Sequence, residues 1–527
     1  MKDELTNDGE IVLSGATSKL KSVDGQGGKL TYQDGTHTMD FSVKNQNIVN
    51  EGANTTLNDL SLVNNNGNAL SVNGGALNIP NMGLTNLHFT DFAMNGGTIN
   101  IGKVSVDLAN EKMGRITADR YSGEGRGTVN VNSMVLTSDG KKSKTTVPFA
   151  DGSFKNTVKT NVKEVRSDLY QYSVDYDKSG ENGNFVFTRG DGGSGQDSYK
   201  QFNPNVISSA VNVNTGACLA MNNTFTYVFE HLDAFTQFPK AERFAMIKEN
   251  QYALSTPFNN NLNNADYSNK NRAYWVRPFV TFENTHLKHG PKVDIISYGT
   301  LAGYDTPIKE YKNGWVGVGT AYLGYNGSQL SWGGMDTSMN GGLLGYTHTL
   351  YKGNFWTALT VSAGASAGDT SNEYGHENFA TLMAGVANKT GYNFEFKQGK
   401  FIVQPMLQTS YTFVNTFDYK TSNGVKITDG MGNYLQLHPS VRFVGNLKHG
   451  WQVYAQAGLV WDIMNLNDTK AAGVRLPNMY VKPYAEYGLG LQRHWGDRFI
   501  AFGQAMVRSG GRNGVALTFG FRWALGK

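Results

Sequence analysis

The feature that most limits what this chain can fold into lies in its second half. From Arg272 to the C-terminus, twelve segments of 10 to 18 residues alternate apolar and polar side chains, with turn residues between them. Successive side chains of a strand point to opposite faces, so each segment has two faces of distinct character. In the last segment Val515, Leu517, Phe519, Phe521, Trp523 and Leu525 share one face, while Thr518 and Arg522 share the other. Between Tyr480 and Gln492 the face Val481, Pro483, Ala485, Tyr487, Leu489, Leu491 carries no charge, and Lys482, Glu486 and Gln492 lie opposite. Trp451, Val453, Ala455, Ala457, Leu459, Trp461 and Ile463 stand against Gln452, Gln456 and Asp462 in the same way. So do Leu435, Leu437, Val441 and Phe443 against Gln436, His438 and Arg442.

A soluble barrel turns polar residues outward and apolar ones inward. A membrane barrel reverses this, because a basic side chain on the lipid face at the midplane costs roughly 2–4 kcal/mol. The uncharged faces are therefore assigned to lipid, with Leu489, Leu491, Phe519, Phe521 and Trp523 as marker residues. Arg442, Asp462, Lys482, Glu486 and Arg522 are assigned to the lumen. Trp451, Trp461 and Trp495 stand near segment ends, where interface aromatics belong. Tight turns (Lys352-Gly353-Asn354, Lys397 to Lys400, His449-Gly450, Gly496-Asp497) alternate with longer polar stretches at 423–433 and 467–478. The expectation is a monomeric, 12-stranded antiparallel transmembrane β-barrel over 272–527, its even strand number matching bacterial outer-membrane barrels.

Composition agrees. Charged residues make up 17% of the chain, below the roughly 25% usual for soluble domains, and Gly (63 residues) and aromatics (12%) are abundant. A mean hydropathy of −0.41 and no apolar run near 18 residues exclude helical membrane spans. A single cysteine, Cys218, excludes a disulfide framework or a Cys-rich metal site. The net charge of +4 leaves no nucleic-acid footprint. All eight tryptophans fall between Trp275 and Trp523, so the two halves differ in physical character.

The first half, 1–164, is a series of short period-two strings broken by Asn-Gly and Gly-Gly pairs: Leu60-Ser61-Leu62-Val63, Ala69-Leu70-Ser71-Val72, Ala76-Leu77-Asn78-Ile79 and Thr98-Ile99-Asn100-Ile101. Strands this short bury a face only by stacking on neighbours, which points to a right-handed β-helix or similar solenoid. A sandwich of short strands is the competing arrangement. Over 165–190 an aromatic hairpin, Leu169 to Phe187, could close the open end of a solenoid. A Gly-rich stretch at 191–204 has the composition of a flexible linker.

Over 205–255 the apolar period changes to three and four residues, with Asn214 or Thr215 as a start and Pro239 as a stop. A helix from Thr215 to Gln237 would be about 34 Å long, about a bilayer's apolar thickness. Asn222, Asn223, Thr224, Glu230, His231 and Asp233 make it too polar for lipid. It suits a polar pore, or packing against a soluble domain. Glu230 and His231 are expected to bond lumen side chains.

Motifs for chemistry are weak. Gly364-Ala365-Ser366-Ala367-Gly368 has the nucleophile-elbow pattern but sits in a strand with no helix after it. One calcium-type repeat, Gly192 to Tyr199, lacks the further copies such sites need. No histidine spacing suits a metal, so no metal, cofactor or catalytic residue is expected.

Taken in order, solenoid, aromatic hairpin, linker, pore-length helix and barrel resemble a type V (classical) autotransporter along essentially the whole chain. The stretches that carry the resemblance are Tyr274-Trp275-Val276-Arg277-Pro278-Phe279, Tyr298 to Asp305, and Thr518-Phe519-Gly520-Phe521-Arg522-Trp523. It implies an outer-membrane translocator with a partial N-terminal passenger at the cell surface, and an autochaperone-like role for the hairpin at Leu169 to Phe187. It also implies export through the Sec channel and insertion by the barrel-assembly machinery. Two features depart from the family: Trp523 is followed by Ala524 to Lys527, and Met1 to Leu5 opens with no apolar signal-peptide region. The expectation is a chain that lacks its signal peptide, as a fragment or from a wrongly chosen start, with a longer true passenger.

Some members of the family cleave between two asparagines inside the barrel. That would make Asn222 the nucleophile on its own carbonyl before Asn223, with Glu486 as proton acceptor. An adhesive or structural passenger is the main expectation. A channel with a plug domain, or an enzyme whose active site lies in a missing N-terminal part, are the alternatives.

Overall fold

The structure is a computed structural model that describes residues 4–59, 68–123, 126–190, 195–236, 272–495 and 499–525. The expected strand at Leu60 to Val63, the helix stop at Pro239 and the turn at Gly496-Asp497 lie outside these residues. The chain forms two compact units, Met1–Ser194 with Lys200–Asn203, and Gly195–Tyr199 with Pro204–Lys527.

In the N-terminal unit, successive strands pass alternately into two sheets. Glu10–Leu13, Gly28–Tyr32, Gln46–Asn50, Ala69–Val72, Asn86–Met94 and Arg115–Ser122 form one. Thr17–Leu20, Thr36–Ser42, Asn54–Asp59, Ala76–Met82, Thr98–Asp107, Thr128–Val131 and Val158–Thr160 run through the other. Pairing along both paths is parallel: Thr36 lies beside Asn54, Asn54 beside Ala76, Ala76 beside Thr98, and Thr98 beside Thr128. Parallel neighbours need a crossover between them, and here the crossover is the strand in the opposite sheet. This is the path of a two-sheet coil and not that of an antiparallel sandwich. Leu30, Ile48, Leu70 and Phe92 are buried in register along one sheet, and Leu77, Ile99 and Val129 along the other, so each turn buries its apolar face on the next.

On the second sheet an amide ladder runs across the turns. Asn78 Nδ2 donates to Asn54 Oδ1 (2.7 Å), Asn100 to Asn78 (2.9 Å) and Asn130 to Asn100 (2.8 Å). Replacing Asn100 by Ala removes two of these bonds, at about 0.5–1.5 kcal/mol each. The expected result is a lower urea midpoint for the N-terminal unit, read by limited proteolysis, with the barrel unchanged.

Residues 165–190 contribute to an antiparallel four-stranded sheet ordered Lys144–Ala150, Gly183–Arg189, Gln171–Asp177, Glu164–Arg166. The sheet thus draws its first strand from before residue 165. Phe185 packs between Phe149 (5.3 Å) and Tyr176 (4.9 Å). Burial pushes the Tyr172 phenol up to about 12, and the same cause raises Tyr121 to about 12. The folded unit therefore holds these protons more tightly than the unfolded chain, whose tyrosines titrate near 10. Their contribution is complete below about pH 10 and falls as pH rises toward 12. Thermal melts of the N-terminal unit should be level from neutral pH to about 10 and drop above it.

Gly195–Gln201 is a 3-10 helix where composition suggested a flexible linker. The Gln196 amide donates to the carbonyls of Leu287 (2.9 Å) and Gly290 (3.2 Å) and ties it down. Helix α1 (Pro204–Val211), a π-helical turn (Asn212–Ala217) and α2 (Cys218–Thr236) then follow without a break. The helix starts well before the expected Asn214 or Thr215 because Pro204, with no N–H to satisfy, suits a first helical position. Val211, before the π turn, has helical φ and ψ, so no cap interrupts there. Gly216 lies in that turn, and a Cβ on it would sit 2.3 Å from the Met339 sulfur of the wall. A larger residue there would require the Met339 side chain to shift.

The barrel strands are β1 Arg272–Lys288, β2 Lys292–Asp305, β3 Val316–Trp332, β4 Met335–Lys352, β5 Phe355–Asn372, β6 Gly375–Tyr392, β7 Phe401–Thr416, β8 Gly430–Asn446, β9 Trp451–Asn467, β10 Tyr484–Trp495, β11 Phe499–Gly510 and β12 Arg512–Leu525. Each pairs antiparallel with its sequence neighbours, and β1 closes on β12 from Arg272 beside Leu525 to Thr285 beside Arg512. The rim holding Arg272 and Leu525 carries the turns 353–354 and 447–450. The opposite rim carries the long connections 417–429 and 468–483, whose short strands Tyr419–Lys420, Lys426–Thr428, Lys470–Ala471 and Val474–Arg475 form a small sheet. That rim also has very short turns, at Gly333-Gly334 and Glu373-Tyr374, so loop length does not divide cleanly by rim.

Candidate functional site

The candidate site is the barrel lumen with the helix in it. Inward parity along β1 places Trp275, Arg277, Phe279, Thr281, Glu283 and Thr285 inside, all buried, while Tyr274 and Phe282 are exposed outside. The helix meets this wall through a graded set of polar contacts. At the long-loop end, Asn205 bonds Asn423 (2.9 Å), Ser208 reaches Glu377 (3.4 Å) and Asn212 donates to Thr370 (3.0 Å). Midway, Asn326 donates to Thr224 (3.2 Å), and Ser410 and Thr412 donate to Asn222 Oδ1 (3.5 and 3.3 Å). A Cβ on Gly385 would lie 2.8 Å from the Phe225 ring, so α2 touches the wall closely there.

At the other end the contacts become ionic. Arg277 Nη2 donates to Glu230 Oε2 (2.8 Å), and Gln504 donates to Glu230 Oε1 (3.0 Å). His231 Nε2 lies 3.1 Å from both Asp305 oxygens, and Asp305 also accepts from Arg522 (2.8 Å) and Thr320 (2.9 Å). The His231 ring stacks on Trp275 at 4.1 Å and Tyr227 on Phe279 at 4.3 Å. Groups buried this way hold a helix only where each charge has its partner, and here each does. Because α1 sits at the rim of the long connections and Glu230 and His231 near the rim of the barrel ends, the helix threads the lumen lengthwise.

A second network braces wall to wall. Arg508 donates to Glu486 (2.8 Å) and Glu283 (3.1 Å), and Arg512 Nε donates to Glu283 (2.8 Å), with a further Arg512–Glu283 bond beside it. Two carboxylates and two guanidinium groups balance.

The residues marked for the lumen fall as follows. Arg442 is fully buried and bonds Gln456 (3.0 Å), Glu486 and Arg522 are buried in the networks above, and Asp462 is half-buried on Gln436 (2.9 Å). Lys482 is half-buried in a break before β10, since Pro483 has no N–H for the ladder, and Tyr480–Val481 pairs with β1 instead. The residues marked for lipid are exposed: Leu489 67%, Leu491 42%, Phe519 57%, Phe521 43% and Trp523 64%. Asn222 donates to Cys218 (3.5 Å), Asn223 is buried, and the Glu486 carboxylate pairs with Arg508 rather than with either asparagine. Gly364 to Gly368 lies within β5, away from any turn. Among the described residues no group of three or more His, Cys, Asp or Glu could hold a metal.

Arg277, Glu283, Asp305, Gln504, Arg508 and Arg512 were not singled out from the sequence. The parity that sorted β8 to β10 and β12, applied to β1, would have found Arg277 and Glu283. Asp305 and Arg508 gain meaning only from their partners across the lumen.

Residues 274–505 match the family model described as the autotransporter beta-domain. No curated protein matches the sequence. Solved structures with a similar fold include the β domain of the Bordetella autotransporter BrkA, at 16% identity over 48% of this chain and 99% of that one (TM-score 0.40). The transport unit of AIDA-I from Escherichia coli is 14% identical over 55% and 99% (TM-score 0.41), and the translocator domain of NalP from Neisseria meningitidis 12% over 54% and 96% (TM-score 0.42). At these values the likenesses carry no argument of their own; the family match and the closed twelve-stranded barrel do. The C-terminal part of this chain is an autotransporter β-domain, a barrel whose strands cross the outer membrane.

Proposed function

We propose that the barrel carries its own N-terminal unit to the cell surface and keeps it anchored there, the helix remaining in the lumen as the tether. The observation that supports this most is the helix path. It enters at the rim of the long connections and is pinned by Glu230–Arg277 and His231–Asp305 near the rim where the barrel begins and ends. The long-connection rim then faces outward and the other faces the periplasm. Insertion by the barrel-assembly machinery and Sec-dependent export belong to the same proposal, supported by the resemblance to the family. The N-terminal unit is read as a β-helical passenger fragment with an adhesive or structural role. One of its sheets carries a ladder of asparagines, and no catalytic constellation stands among the described residues.

The test is protease shaving of intact cells expressing this chain behind an export signal, followed by heated and unheated gels. The expected outcome is digestion of the N-terminal unit from outside, leaving a heat-modifiable core of about the size of the residues after 205. Protection of that unit with a heat-modifiable barrel would favour the channel with a plug domain.

Removing Ala217 to Phe235 should leave the lumen open, and planar-bilayer recording should then show a large steady conductance absent from the whole chain. Equal conductance of the two would remove the helix from the lumen. The chain is further proposed to stay intact, supported by the engagement of Glu486 with Arg508. A full-length band is the expected result, and a fragment ending at Asn222 that vanishes in Asn222→Ala would establish self-cleavage.

A further inference from the structure

Two cations stand on the lipid-facing side of the barrel where parity should place apolar residues. On β10, Leu489 and Leu491 are exposed to lipid, and Arg493 continues the same face. Its guanidinium lies 4.9 Å from the centre of the Trp451 ring and 4.7 Å from that of Trp495. Trp451 is the β9 residue directly beside Arg493. On β4, Leu344 and Tyr346 are exposed, and Lys352 ends that face with its ammonium 5.6 Å from the Trp315 ring. Phe355 packs edge-on against Trp315 at 6.1 Å.

Neither cation has a carboxylate partner among the described residues, and Arg493 Nε has no hydrogen-bond acceptor there. Both lie at the rim that holds Arg272 and Leu525. Arg277, Glu283, Asp305, Arg508, Arg512 and Arg522 are buried inside the barrel and ion-paired, whereas these two cations stand on its outer side. An aromatic face attracts a cation only by about 0.5–1 kcal/mol at exposed sites, and it leaves the N–H edges of the guanidinium free. The Nε–H is buried, and the terminal Nη donors of a guanidinium match a phosphate. At the depth of interface tryptophans, the phosphate at hand is that of a lipid headgroup.

We propose that Arg493 with Trp451 and Trp495, and Lys352 with Trp315, are binding sites for the phosphate of an anionic phospholipid in the periplasmic leaflet. The choice of that leaflet, and so of phospholipid over lipopolysaccharide, rests on the orientation proposed above. The sites would fix the depth and tilt of the barrel at the rim opposite the long loops.

The experiment uses the full chain in phosphatidylcholine nanodiscs carrying trace spin-labelled phosphatidylglycerol, phosphatidylcholine or lipid A, with the motionally restricted fraction read by electron spin resonance. The expected result is a preference for phosphatidylglycerol over phosphatidylcholine that high salt abolishes. Each of Arg493→Gln and Lys352→Gln should weaken relative association about fivefold, the worth of one basic residue at an anionic surface. Arg493→Lys should keep much of the preference, and an unheated gel confirms that each variant is folded. Should the glutamine variants not fold, the lysine variant and the salt series decide. No preference in the parent chain, or a preference untouched by salt or by both glutamine substitutions, overturns the proposal. Selective restriction of lipid A overturns the phospholipid assignment, while protease shaving reads the orientation separately.

Discussion

Glu283→Ala is expected to abolish the heat-resistant folded band, or to lower its melting temperature steeply. Glu283 is the shared acceptor of Arg508 and Arg512, and both guanidinium groups are buried in the lumen with their fork donors aimed at it. Among the described residues, removing it leaves Arg508 with Glu486 and Arg512 with the Tyr484 hydroxyl (3.1 Å) as acceptors. Breaking a buried pair by deleting one partner costs about 3–5 kcal/mol, because an uncompensated charge remains. The double variant Glu283→Ala/Arg512→Ala removes both an anion and a cation and should recover part of the loss, a non-additivity that a double-mutant cycle measures. Full additivity would mean that the pair does not act as a unit. The measurement is the temperature at which the unheated gel band shifts, with urea unfolding in detergent as a second readout.

Leu489→Arg against Gln492→Arg is the second large contrast. The two residues are three apart on β10 and take opposite faces. Leu489 is exposed on the outside, whereas Gln492 is buried and bonded to Gln452. The first change puts a charge into lipid near mid-strand, at roughly 2–4 kcal/mol. The second adds a donor fork to a polar lumen where Gln452 already offers an acceptor. Leu489→Arg should fail to yield a heat-modifiable barrel in cells, and Gln492→Arg should yield one. Equal tolerance would reverse the assignment of faces.

Much of the barrel was legible because its physical rule is local. A strand with a charge-free face reads the same whatever its neighbours are. The number of segments, the marker residues and the polar helix could therefore be taken from period and charge alone. The asparagines were harder. Asn78 and Asn100 read simply as polar positions of two separate strings, yet Asn54, Asn78, Asn100 and Asn130 bond one another across turns of the coil. Their spacing is uneven because the connections differ in length, so no fixed repeat announces the ladder. The strand Lys144–Ala150 likewise joins the aromatic hairpin through pairing that no local pattern encodes.

The sequence by itself determined that this chain spans a membrane with strands, which side chains of the marked strands take the outer face of the barrel, and that a polar helix precedes it. Those properties depend on solvent preference and periodicity, which each segment carries in its own residues. Only the tertiary structure decided that Glu230 meets Arg277, that His231 meets Asp305, and that Arg508 and Arg512 share Glu283. Such pairs join residues 47 to 229 positions apart. Which charges become partners is set by strand register and by the seat of the helix in the closed lumen, and these exist only once the barrel has formed.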